Sequence, residues 1–199
     1  MANRNAAGFG LIPTGTLGST PSTQGQGKYY IVAAYDADLF QGTSVRVVNG
    51  YIQTAQAAIT KSTVGVLNGI FYNASSTLKP TWANWYNQPI TPANSEDLTA
   101  FVIDDPTQLY VVATSGTIAQ AGYGKTYGLT VTAAGSEING QSSSTLTTGT
   151  VSPTANQWRL LRSAEDPEND SNATYRSVIV CQNLCQFLQN TGTAGITWQ

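Results

Sequence analysis

From Lys28 onwards the chain runs as short stretches of β-branched and aromatic residues, each interrupted before a helical repeat can establish itself: KYYIVAAY, SVRVV, YIQTAQAAI, TVGVLNGIFYN, LTAFVIDD, QLYVVATS, YGLTVTAA, QWRLLRSAE and YRSVIVCQN. Branching at Cβ and flat rings suit a pleated, half-buried surface, so these nine stretches predict strands. Asn49 with Gly50, Asn68 with Gly69, and Asn139 with Gly140 punctuate them, and an Asn-Gly pair readily takes the positive φ angles of a hairpin turn. The middle pair has apolar residues on both sides, which fits a bulge inside one long strand as well as a turn. Closely spaced strands without a convincing helical period predict an all-β fold, an antiparallel β-barrel or β-sandwich.

The two ends read differently. Residues 1–27 are rich in Gly, Pro, Ser, Thr and Asn, with Phe9, Leu11, Ile12 and Leu17 as isolated apolar points. Such a segment cannot by itself bury enough apolar area to offset the entropy of ordering it. It is expected as an extended N-terminal arm whose spaced anchors dock on a partner chain. Residues 28–188 are expected to form one β-barrel or sandwich domain, and residues 189–199, with Trp198 as an anchor, a short C-terminal tail. Residues 75–97, which carry three prolines and the cluster Trp82, Trp85 and Tyr86, are expected as a long connection, of a kind usually functional or packed on a neighbour.

Only 10% of the residues are charged and the net charge is -2, whereas ordinary soluble domains carry about 25% charged residues. The polar surface is therefore built largely from hydroxyl and amide side chains, which are cheaper to desolvate than charges and suit a surface that other protein will cover. So small a net charge gives little long-range attraction to nucleic acid or acidic lipid, and neither nucleic acid nor membrane is expected as a partner. No apolar run is long enough to span a bilayer, and the N-terminus lacks the basic and apolar segments of a secretory signal, so synthesis in a cytosol-like compartment is expected.

Catalytic chemistry is restricted as strongly. The chain contains no histidine, which removes the commonest general base and every Ser-His-Asp or Cys-His arrangement. Cys181 and Cys185, the only two cysteines, cannot complete a zinc site alone and are expected as buried free thiols. AQAGYGKT, residues 119–126, has the loose form of a phosphate-binding loop, but YGLTVTAAG follows it. That segment reads as a strand, whereas phosphate binding needs a helix opening at the Lys-Thr pair. Asp104 and Asp105 point to opposite faces if their strand continues, which makes them poor partners for glycoside hydrolysis with Glu96 or Glu137; turn capping suits them better. In EDPENDSN, residues 165–172, oxygen ligands alternate as calcium requires, yet the central glycine and the twelfth-position acid of a helix-loop-helix site are missing. The expectation is a protein that is not an enzyme and has no catalytic, cofactor or metal site.

Trp82, Trp85 and Tyr86 fit two roles. Aromatic faces stack on sugar rings, and aromatic residues are also enriched in protein interfaces. The first role points to a carbohydrate-binding module; the second points to a contact with another protein subunit.

Four segments, MANRNAAGFGLIPTGTL, STVGVLNGIFYNASSTLKPTWANWY, AFVIDDPTQLYVV and NQWRLLRSAEDPENDSNATYRSVIVCQN, resemble the small proteins that decorate or cement the heads of tailed bacteriophages, notably phages of cyanobacteria and other aquatic hosts. The resemblance implies an all-β protein, often a homotrimer, made in the bacterial host cytoplasm and placed on the outer surface of the virion capsid. There it would clamp neighbouring copies of the major capsid protein, its partner besides itself. The contacts would come from Phe9, Leu11, Ile12 and Leu17 on the arm and from Trp82, Trp85 and Tyr86.

Overall fold

A computed structural model of the chain describes residues 7–18, 25–55, 60–130, 135–170 and 172–188. Its strands are β1 (Ile12–Thr16), β2 (Gly27–Ile31), β3 (Ser44–Val48), β4 (Tyr51–Thr54), β5 (Gly65–Asn73), β6 (Pro80–Ala83), β7 (Leu98–Ile103), β8 (Gln108–Ala113), β9 (Thr126–Leu129), β10 (Leu146–Ser152), β11 (Trp158–Ser163) and β12 (Ser177–Gln182). Each of the nine stretches read as strands contains one, and β1, β6 and β10 are additional. The fold is all-β, and its two antiparallel sheets make the sandwich of the two expected architectures. The first sheet has the order β1-β8-β12-β11-β9-β10, and the second β2-β7-β5-β3-β4. Strand β5 is long enough to pair with β3 through its first residues and with β6 through its last.

Local chemistry accounts for the joints. Val48 pairs with Tyr51, and the two residues between, Asn49 and Gly50, have φ of 50° and 86°, the left-handed pair that matches the twist of a tight hairpin. At Asn68 the register of β5 against β7 slips between Leu67 and Gly69. Of the two readings open for that pair, the bulge is the observed one.

Each sheet has its own core. Ile31, Val45, Ile52, Leu67, Ile70, Leu98 and Val102 fill the second, with Leu39 and Tyr86 from the connections. Tyr110, Val112, Leu129, Trp158, Leu160, Val178 and Val180 fill the first. The sheets join because Val66 and Ile103, a cross-strand pair on β5 and β7, turn into the first core, where Tyr110 Oη donates to the Ile103 carbonyl at 3.1 Å. Polar ties close the other side. Gln157 Nε2 donates to the carbonyls of Ala55 and Lys61, and Gln182 Nε2 and the Gln186 amide donate to the carbonyl of Thr63. These pairings satisfy backbone groups that burial would otherwise leave at a cost.

The described part of the N-terminal segment lies on its own chain. Strand β1 pairs with β8 at the edge of the first sheet, Ile12 opposite Val111. The Gly10 and Leu11 amides donate to the carbonyls of Ser144 and Gly42. Leu11 is 1% exposed and belongs to the first core, whereas Ile12 is 43% exposed. Leu11 and Ile12 are thus not equivalent isolated points, because pairing with β8 converts neighbouring positions into inner and outer ones. The tail expected at residues 189–199, Trp198 included, lies outside the described residues.

Candidate functional site

The residues expected to contact a partner separate into inner and outer sets. Leu11 packs in the first core, and Tyr86 in the second, with its phenol donating to the Tyr35 carbonyl at 2.8 Å. Both face their own chain, which removes them from the contact set. Phe9 is half-buried, and its carbonyl accepts from Gln141 Nε2. Trp85 is half-buried and stacks on Phe40, the rings 4.9 Å apart and 10° from parallel. That stack holds the connection after β6 against the chain's own body. Ile12, Leu17 and Trp82 remain exposed. Three aromatics adjacent in sequence therefore do not form one platform: Trp82 lies on β6 facing outward, while Trp85 and Tyr86 follow the strand's end and turn inward.

The segments that invite a catalytic reading are engaged in structure. In residues 119–126 a single 3-10 turn, Gln120–Gly122, leads straight into β9. The Gly124 amide donates to the Leu160 carbonyl, and Arg159 donates to the Gly124 carbonyl. The loop thus pairs with β11 instead of presenting amides to a phosphate. Asp105 Oδ1 accepts from the amide and hydroxyl of Thr107, each at 2.8 Å, and so caps the turn before β8. Asp104 accepts from Tyr29 Oη at 2.7 Å. Burial, reinforced by that carboxylate, holds the Tyr29 phenol far above the usual range, and burial does the same for Tyr110; both stay neutral donors. In residues 165–172 Asn169 is the staple, its Nδ2 donating to the Ala164 and Ser177 carbonyls and its Oδ1 accepting from the Ser177 amide. Among the described residues no three His, Cys, Asp or Glu side chains gather to hold a metal, and no helix is long and apolar enough to cross a membrane. Cys181 and Cys185 are buried and unbridged, as expected, and burial pushes the Cys181 thiol up, away from the reactive thiolate.

What the chain presents outward is two unlike sheet faces. On the first sheet's outer side Leu109, Ile179 and Cys181 form a small buried cluster with half-buried Val111, Leu161 and Ala164 packed against it, and Arg159 and Arg162 pair opposite Cys181 and Ile179. The pairing of Ile12 with Val111 extends this face to the sheet edge, with Leu17 just beyond. The second sheet's outer face is aromatic. Phe71 pairs with Trp82 on one side and Thr99 on the other, Tyr30 pairs with Thr99, and Phe101 lies opposite Gly69 and Lys28. Trp82 is 52% exposed, and Tyr30 and Phe71 are also open to solvent. Neither face was legible as a unit, since each is assembled from strands far apart in sequence. The signal available was an aromatic at the outward position of KYYIV, GIFYN and TAFVI. The chain matches no family model, no curated protein and no solved structure.

Proposed function

We propose that this chain is a structural virion protein that binds the outer face of a phage capsid as a decoration or cement protein, works as a homotrimer, and stabilises contacts between major capsid proteins. The observation that carries the reading is the pair Ile12 and Leu17, 43% and 45% exposed at the edge of the first sheet. Covering such side chains removes apolar area from water, which favours a contact there. Its work is adhesion: the covered area must be exposed again before internal pressure parts two capsid subunits. A standard interface of about 800 Å² per partner suffices for each copy, because symmetric repetition holds neighbouring copies at high effective concentration.

The reading is tested by loading purified protein onto emptied phage heads and sedimenting them. Ile12→Asp with Leu17→Asp places two carboxylates where the proposed contact is dry. Because both positions are exposed, the fold should lose less than about 1 kcal/mol. Occupancy at a fixed protein concentration should fall at least tenfold. Undiminished loading by the double variant contradicts the assignment of this face.

A further inference from the structure

We propose that the outer face of the second sheet is a platform for a neutral polysaccharide. The register across β6, β5, β7 and β2 aligns Trp82, Phe71, Thr99 and Tyr30, with Phe101 in the next row. At the ordinary spacing of hydrogen-bonded strands the row spans about 14 Å, room for a few sugar rings in succession.

The Trp82 indole reaches over β5. A Cβ at Gly69 would stand 2.5 Å from Trp82 Cζ2, so the glycine at the bulge lets the ring settle over the backbone. There it leans on Phe101, the centroids 5.1 Å apart and the planes tilted by 47°. Braced by Gly69 and Phe101, Trp82 is still 52% exposed, so part of an aromatic plane is left open to a ligand. The C–H face of a pyranose packs on such a plane, and its hydroxyls, directed sideways, require polar groups at the rim.

Those groups are present. Beside Phe71 a dent of about 80 Å³ is lined by Asn73, Glu96, Asp97 and Thr99. The side chains of Asn73 and Glu96 make no hydrogen bond among the described residues, so both are available to sugar hydroxyls. The two carboxylates beside Phe71 disfavour uronates and sulfated sugars at that end of the row, while Lys28 Nζ lies 5.7 Å from the centre of the Tyr30 ring at the other end. The contrast with the first sheet supports the assignment, because the outward positions of β8, β12 and β11 carry no ring on which a sugar can stack.

The test is native electrophoresis through gels containing galactomannan, hydroxyethyl cellulose, dextran or alginate. At least one of the three neutral polymers should retard the protein, and alginate should not. Trp82→Ala and Tyr30→Ala, on separate strands, should each weaken retardation about tenfold, the worth of one stacking contact, with unchanged far-UV circular dichroism. Ile12→Asp, on the other sheet, should leave retardation intact. The proposal is overturned by no retardation in any neutral polymer, by retardation in alginate alone, or by retardation that both aromatic variants retain. A change of oligomeric state in Trp82→Ala without any glycan effect would also overturn it, making this face a contact between copies. Loading on heads is measured separately, so either proposal can fail alone.

Discussion

Replacing Trp158 by Ala is expected to lower the free energy of unfolding by about 3–5 kcal/mol. Among natural domains, stable by roughly 5–15 kcal/mol, few changes of one residue remove so large a share. Trp158 is fully buried at the start of β11, between β9 and β12, and its ring meets Tyr110 edge-on, with the centroids 5.4 Å apart and the planes at 84°. Truncation leaves a cavity in the middle of the first core, with strand backbone around it that cannot collapse to fill it. Its indole N–H has no acceptor among the described residues. Trp158→Phe gives up that unpaired donor along with part of the area, and should therefore cost distinctly less, under about 1.5 kcal/mol. Urea denaturation followed by circular dichroism separates the two. Equal costs for Ala and Phe would mean that the ring's packing is not what holds the first core.

Leu11→Ala should cost about 2–5 kcal/mol, an unexpected price for a residue in a segment rich in Gly, Ser and Thr. Leu11 is the point where β1 enters the first core, and the strand has a neighbour on one side only, β8. Losing that side chain should release the edge strand before the rest of the sheet, since edge elements with few buried contacts open first. The amides of Leu11 and Leu17, which donate to Gly42 and Thr107, should then exchange with solvent faster than those of β12. Ile12→Ala, one residue further on and facing outward, should cost no more than about 0.5 kcal/mol. If the two variants were equally mild, the segment would be detached from its own sheet in solution. The same geometry bears on truncation: deleting residues 1–27 removes β1 and a core side chain as well as the exposed anchors, so reduced loading by that variant does not isolate a partner contact.

Much of the architecture was legible because nine strands carry their own propensity and the Asn49 turn its own stereochemistry. The strands that escaped notice share a reason. Strand β1 reads IPTGT, β6 PTWA and β10 LTTGTVS, and proline, glycine and threonine at these positions look like connection. They are extended because a neighbour pairs with them, and β1 and β10 lie at the sheet edges, where proline is tolerated. The candidate surfaces escaped for a related reason. Adjacency in sequence grouped Trp82 with Trp85 and Tyr86, but facing alternates along a strand, and the real neighbours of Trp82 are Phe71 and Phe101 on β5 and β7. Pairing register between distant strands is set by the whole sheet, and no local pattern announces it.

On the proposed function the two outer faces have different partners, the edge that carries Ile12 and Leu17 a protein lattice and the aromatic face a glycan. A reconstruction of decorated heads tests it most directly. Density for this chain is expected on the outer surface of the shell, with Ile12 and Leu17 against the major capsid protein and Trp82 turned away from it. Heads that lack the chain, or a chain bound with Ile12 and Leu17 open to solvent, would contradict it.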